Sequence, residues 1–194
     1  MTKSIDFYFD FISPYSYLAH KQIENIKQKN NINFNYKPIL VGGLHKLQGI
    51  TAPAFIKAKL KYMVSDCNLI AKKNKSNFIW NSKFPINSLN IMRGYLFVND
   101  EVKRLYLNAI FDAYWKDNLD TSNEEILKTL LKKCKINLKD FFNGIQDTKI
   151  KDKLKSLTQE AHNEEIFGTP TFVINNKIFW GQDRLEFALD EYNK

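Results

Sequence analysis

Residues 5–29, IDFYFDFISPYSYLAHKQIENIKQK, change periodicity at one point. Ile5, Phe7, Phe9 and Phe11 alternate with Asp6, Tyr8 and Asp10, the period of two that sends successive side chains to opposite faces of a strand. After Ile12 the spacing widens. Ala19, Ile23 and Ile26 recur at helical intervals, and Ser13-Pro14 offers an N-cap hydroxyl followed by proline at the first helical position, where its missing N–H is harmless. The stretch predicts a strand ending at Ile12, a tight turn, and a helix from about Tyr15 to Lys29.

Working outward, Ile32 to Ile39 reads as a second strand broken by Pro38, and Gly42-Gly43 as the loop after it. Helical spacing then dominates, over Phe55–Lys73, Ile86–Val98, Val102–Lys116, Glu124–Lys133 and Lys149–Glu165. Ser122 and Glu125 have the spacing of a capping box. Gly168 reads as a helix C-cap. Strand character returns in Thr169-Pro170-Thr171-Phe172-Val173-Ile174, and Asn175-Asn176 predicts a tight turn into a second strand, Lys177–Trp180. A last helix runs from Arg184 to Tyr192, with Asp183 and Glu186 spaced as a capping box. The order is strand, helix, strand, a helical block, then strand, strand, helix. That is an α/β domain, residues 1–50 and 167–194, split by an all-helical insertion, residues 51–166.

Composition narrows the function. With 194 residues, 44% of them hydrophobic, the chain suffices for one compact domain or one domain with a sizeable insertion. Lacking an eighteen-residue apolar run and a signal-peptide pattern, it is expected to be soluble and cytoplasmic. Cys67 and Cys134, and His20, His45 and His162, are scattered, without the spacing of a disulfide framework or metal site. The net charge of +8 raises nucleic acid as a partner, but of 29 basic residues only Arg93, Arg104 and Arg184 are arginines. The lysines thicken over 128–139 and 149–155 at helical spacing, the pattern of solvated helix faces, so neither nucleic acid nor membrane is expected as a partner.

Three places carry chemistry. Ser13 stands at a helix N-terminus, where free backbone N–H groups and the helix dipole favour an anion; it either caps its helix or also donates its hydroxyl to a thiolate brought by a ligand. Thr169-Pro170 at a strand head is either an ordinary strand-initiating proline or a cis bond that leaves the preceding backbone free to pair with an extended peptide. Gly181-Gln182-Asp183-Arg184 is either a capped helix start or a site for the charged end of a small peptide. Trp80, Trp115 and Trp180 either line a hydrophobic substrate pocket or, as aromatics at helical or strand spacing more often do, belong to the core; Lys59, Tyr62 and Asp66 read as one exposed helix face.

Together the segments FYFDFISPYSYLAH (7–20), KPILVGGLHK (37–46), AKLKYMVSD (58–66), FPINSLNIMRG (84–94) and FGTPTFVINNKIFWGQDRL (167–185) resemble the 2-hydroxychromene-2-carboxylate isomerase and kappa-class glutathione transferase family, a DsbA-like branch of the thioredoxin fold. The resemblance implies that Ser13 contacts the sulfur of bound glutathione. It also implies that Thr169, before a cis Pro170, pairs with the tripeptide backbone, that Gln182 and Asp183 hold its γ-glutamyl end, and that Lys59 meets an anionic group. Family members commonly carry Gly-Asn where this chain has Gly49-Ile50, which removes a polar contact. The implied protein is a homodimer using glutathione as cofactor on a small aromatic-derived substrate. Its chemistry is isomerisation, with transfer to electrophiles as the alternative and a redox-silent peptide-binding module as a third.

Overall fold

The computed structural model describes residues 3–27 and 32–194. Strand β1 (Ile5–Phe9) leads into helix α1 (Pro14–Lys27), and β2 (Phe34–Pro38) into α2 (Val41–Gln48). The expected extension of α1 to Lys29 lies outside the described residues. Helices α3 (Lys57–Lys73), α4 (Leu89–Phe97), α5 (Asp100–Trp115), α6 (Glu124–Lys133), α7 (Leu138–Gly144) and α8 (Thr148–Asn163) follow, then β3 (Thr171–Ile174), β4 (Lys177–Trp180) and α9 (Leu185–Tyr192). The sheet order is β2-β1-β3-β4; β1 runs parallel to β2 and antiparallel to β3, and β3 antiparallel to β4. This is the thioredoxin-type order expected from the sequence.

Both faces of the central strand are covered. Phe7, level with Phe172 across the sheet, stacks on it at 5.3 Å between ring centroids. Phe9 meets Tyr95 of α4, and Phe11 meets Phe111 of α5 at 4.8 Å, so sheet and helical block share one apolar core. On the opposite face Tyr8 packs with Ile39, Leu44, Ala161 and Ile166, and its hydroxyl donates to Glu164. The alternation in β1 therefore separates two buried layers rather than a core face from a wet one.

Some local expectations are corrected. Gly42-Gly43 is not a loop but the first turn of α2, and α7 lies between two expected helices where no separate helix was expected. Asn123, not Ser122, caps α6, its side chain accepting from the N–H groups of Glu125 and Ile126; the Ser122 hydroxyl turns to Asp120 instead. Gly168 caps no helix. Helix α8 stops at Asn163, with Glu165 taking the left-handed turn at φ 61°, and Gly168 lies where a Cβ would fall 2.7 Å from Trp180 Nε1. Asp183 caps nothing either: a 3-10 turn over Gln182–Arg184 precedes α9, and the Asp183 carboxylate pairs with Arg184. The Asn175-Asn176 hairpin turn forms as expected, with φ of 50° and 58°, the mirror-image turn that matches strand twist.

Candidate active site

The loop after β1 is organised by one buried carboxylate. Asp10, 1% exposed, accepts from the backbone N–H of Ile12 at 3.2 Å and of Val41 at 2.9 Å. Its own carbonyl accepts from Ser13 N–H. One side chain thus fixes the turn that delivers Ser13 and caps α2 from outside that helix. Burial raises the Asp10 carboxyl to about 6, against the lowering effect of its hydrogen bonds from Val41, Ile12, Ser88 and Phe11.

Ser13 works in two directions. Its Oγ accepts from the N–H of Ser16 at 3.1 Å, capping α1, and its hydroxyl donates to the carbonyl of Thr169 at 3.0 Å. Capping and contact with a second segment are therefore not alternatives. The Thr169–Pro170 bond is cis, and the Pro170 carbonyl accepts from Gly181 N–H, tying the segment before β3 to the end of β4. The Thr169 hydroxyl is buried with no hydrogen-bond partner.

Ser13 and Thr169 open onto a cavity of about 1080 Å³ whose wall is mainly apolar. Lys59 and Tyr62 of α3, His45 and Ile50 from α2 and the loop after it, and Trp180 of β4 line it. Lys59 is exposed and enters no ion pair among the described residues, leaving its ammonium available to an anion. Tyr15, at the second position of α1, donates a hydrogen bond from its hydroxyl to Asp66 at 2.8 Å, and burial above all raises its phenol pKa. Helix α3 thereby stands beside the serine turn, so the Lys59, Tyr62 and Asp66 face belongs partly to the site. Neither cysteine lines the cavity: Cys67 and Cys134 are buried and free, and burial pushes the Cys67 thiol up to about 12.

A family model described as a DSBA-like thioredoxin domain matches residues 4–193. The chain belongs to that family. Within it, this DSBA-like thioredoxin domain is 26% identical over 194 residues to a 2-hydroxychromene-2-carboxylate isomerase of Sphingobium xenophagum, covering 99% of this chain and 98% of that one. It is 24% identical to the glutathione S-transferase kappa 1 of Homo sapiens, covering 96% and 89%. A solved selenomethionine structure of a 2-hydroxychromene-2-carboxylate isomerase superposes with a TM-score of 0.89 at 23% identity, over 97% of this chain and 94% of that one.

The domain brings Ser13, Lys59 and Thr169 to one cavity. Pro170 adjoins it through the cis bond, whereas Gln182 and Asp183 lie off its wall: the Gln182 side chain accepts from Gln22 at 2.8 Å, and Asp183 faces Arg184. Trp180 is corrected from core to cavity rim. It is 52% exposed and meets Phe167 edge-on at 4.9 Å, while Trp115 is fully buried and donates its indole N–H to the Phe11 carbonyl. Periodicity could not choose between core and pocket for Trp180, because that depends on β4 being an edge strand. Asp10 and His45 were missed. An acid within an aromatic strand was the available signal for Asp10; for His45 there was none, since its helix was not foreseen. Among the described residues no helix is long and apolar enough to cross a membrane.

Proposed function

We propose that the protein is a glutathione-dependent isomerase of the 2-hydroxychromene-2-carboxylate isomerase type. The observation that carries this reading is the Ser13 hydroxyl at the amino end of α1, hydrogen-bonded to the carbonyl before a cis proline and facing an apolar cavity. The chain's own thiols are buried elsewhere, so a sulfur acting at Ser13 must come from a ligand. The residues present suit a small peptide thiol: the Thr169 hydroxyl is buried and unpartnered, and the Lys59 ammonium is free of ion pairs among the described residues.

Bound glutathione supplies a thiol whose ionised form is a nucleophile that can add to a conjugated carbon and leave again by elimination. The domain's residues would favour that ionised form. The helix N-terminus presents N–H groups and the positive end of its dipole, and Ser13 donates a hydrogen bond. In the resting geometry the Ser13 proton is engaged by Thr169. A ligand N–H that takes over the Thr169 carbonyl frees the serine to turn toward sulfur. Thus backbone recognition and thiolate stabilisation are linked through one carbonyl. Lys59 would attract a carboxylate to the cavity, and Trp180, Ile50 and Tyr62 would cover an aromatic body there.

Relatives named as kappa-class transferases favour a second reading in which sulfur stays on the product. One incubation tests both. With glutathione and a chromene carboxylic acid, a rearranged acid with all glutathione recovered supports isomerisation. A stable glutathione adduct of an electrophile, without rearrangement of the acid, supports transfer. Neither product at millimolar glutathione overturns both.

A further inference from the structure

Ser13 can stabilise a thiolate but cannot take up the proton that ionisation releases, since a serine hydroxyl is no base near neutral pH. Among the described residues the titratable side chains on the cavity wall are Asp10, Tyr15, His45, Lys59 and Tyr62. Lysine and tyrosine ordinarily hold their protons at neutral pH and do not accept more. The Asp10 carboxylate is occupied by the N–H groups of Ile12 and Val41.

His45 differs from all of these. It is half-buried, its Nδ1 is sealed without a hydrogen-bond partner, and no hydrogen bond among the described residues engages Nε2. Burial alone lowers its pKa; no charged neighbour acts on it. Helix α8 packs on α2, and its Thr158 accepts from Leu40 N–H and lies 3.6 Å from where a Cβ on Gly43 would stand. The ring therefore waits as a neutral base.

Its position also suits the task. His45 follows Val41 by one helical turn, and helical side chains lean toward the N-terminus, here the end that Asp10 ties to the serine turn. Gly42 and Gly43, on the same wall, place no side chain in between, and a Cβ on Gly42 would meet nothing within 4 Å.

We propose that His45 accepts the thiol proton of glutathione bound beside Ser13, forming an imidazolium that pairs with the thiolate across the cavity; this rests on the glutathione reading above. The S–H bond breaks, its electron pair stays on sulfur, and the proton moves to the free ring nitrogen Nε2. When the peptide leaves, the proton returns to it. No other reactant is consumed.

Three measurements on the whole protein test this. In the wild type, calorimetric titration with glutathione in buffers of different ionisation enthalpy, with thiolate absorbance recorded in parallel, should show thiolate forming with almost no proton released to buffer. In His45→Gln the thiolate signal should fall severalfold while the peptide still binds, and each remaining thiolate should release one proton. By NMR the wild-type His45 ring should become protonated on adding glutathione but not S-methylglutathione, a readout that needs no variant. One proton released per thiolate in the wild type, equal thiolate signals in both proteins, or a ring that stays neutral with glutathione overturns the proposal while leaving glutathione use intact. Failure of the wild type to bind glutathione removes both.

Discussion

At the residue scale, the site turns on side chains that each make more than one connection. Asp10 holds two backbone N–H groups from segments 29 residues apart, and its carboxyl is raised to about 6 by burial. A raised acid favours the protonated folded state, so its contribution to stability is full below the ordinary 3.8 and is lost as pH rises through about 6. Asp10→Asn should lower stability at neutral pH, because an amide cannot accept from both N–H groups, and should flatten the pH dependence between about 4 and 6. Urea unfolding midpoints across that range check both; a variant as pH-dependent as the wild type would show that Asp10 does not titrate there. Ser13 was legible because serine before proline at a period change is a local signal. Asp10 was not, because the strand pattern assigns it to a polar face and only the second buried layer shows otherwise.

At the scale of elements, what the sequence hid was capping supplied from elsewhere. Helix α2 begins at Val41 with no local side-chain cap; the Asp10 carboxylate and the Thr158 hydroxyl, from β1's loop and α8, take the N–H groups of Val41 and Leu40. Two glycines in its first turn looked like a loop because that tertiary cap leaves no mark nearby. Helices α5 and α6, with Asn99 and Asn123 as their own caps, were placed within two residues of their ends. The closing hairpin is tied to α9 by Glu191, which accepts from Lys194, Lys177 and Asn175 and is held down to about 2 by those hydrogen bonds. A lowered acid stabilises above its ordinary 4.5, and that contribution fades as pH falls toward 2. Glu191→Gln should speed amide hydrogen exchange across β3 and β4 at pH 5 and shrink the difference from wild type as acid is added. Unchanged hairpin exchange at pH 5 would contradict the tie.

At the scale of the whole molecule, both buried layers build the cavity: the sheet, α1, α3 and the segment before α4 pack on the aromatic cluster, while α2 sits on the smaller layer around Tyr8 and Ile39. The order of elements was readable because periodicity is local, but which helix faces meet was not, since ring packing such as Phe11 on Phe111 depends on distant residues. Gly94 in α4 shows the consequence. An alanine there gains helix propensity of about 1 kcal/mol, yet its Cβ would sit 2.3 Å from the Tyr106 hydroxyl and 2.5 Å from the Phe141 ring. Gly94→Ala should therefore destabilise by roughly 1–3 kcal/mol in denaturant unfolding, the opposite sign to propensity. The lysines of α6 and α8 stand mostly exposed, with Leu127, Leu131 and Leu154 turned inward, as the helical spacing implied.

The most direct test is the pKa of the thiol of bound glutathione, followed by thiolate absorbance as pH is raised, in the wild type and in Ser13→Ala. In the wild type the value should lie about one to two units below that of the free thiol, and in the variant it should return most of the way, with the peptide still bound. Equal values in the two proteins, or a bound thiol that ionises no more readily than the free one, would contradict it.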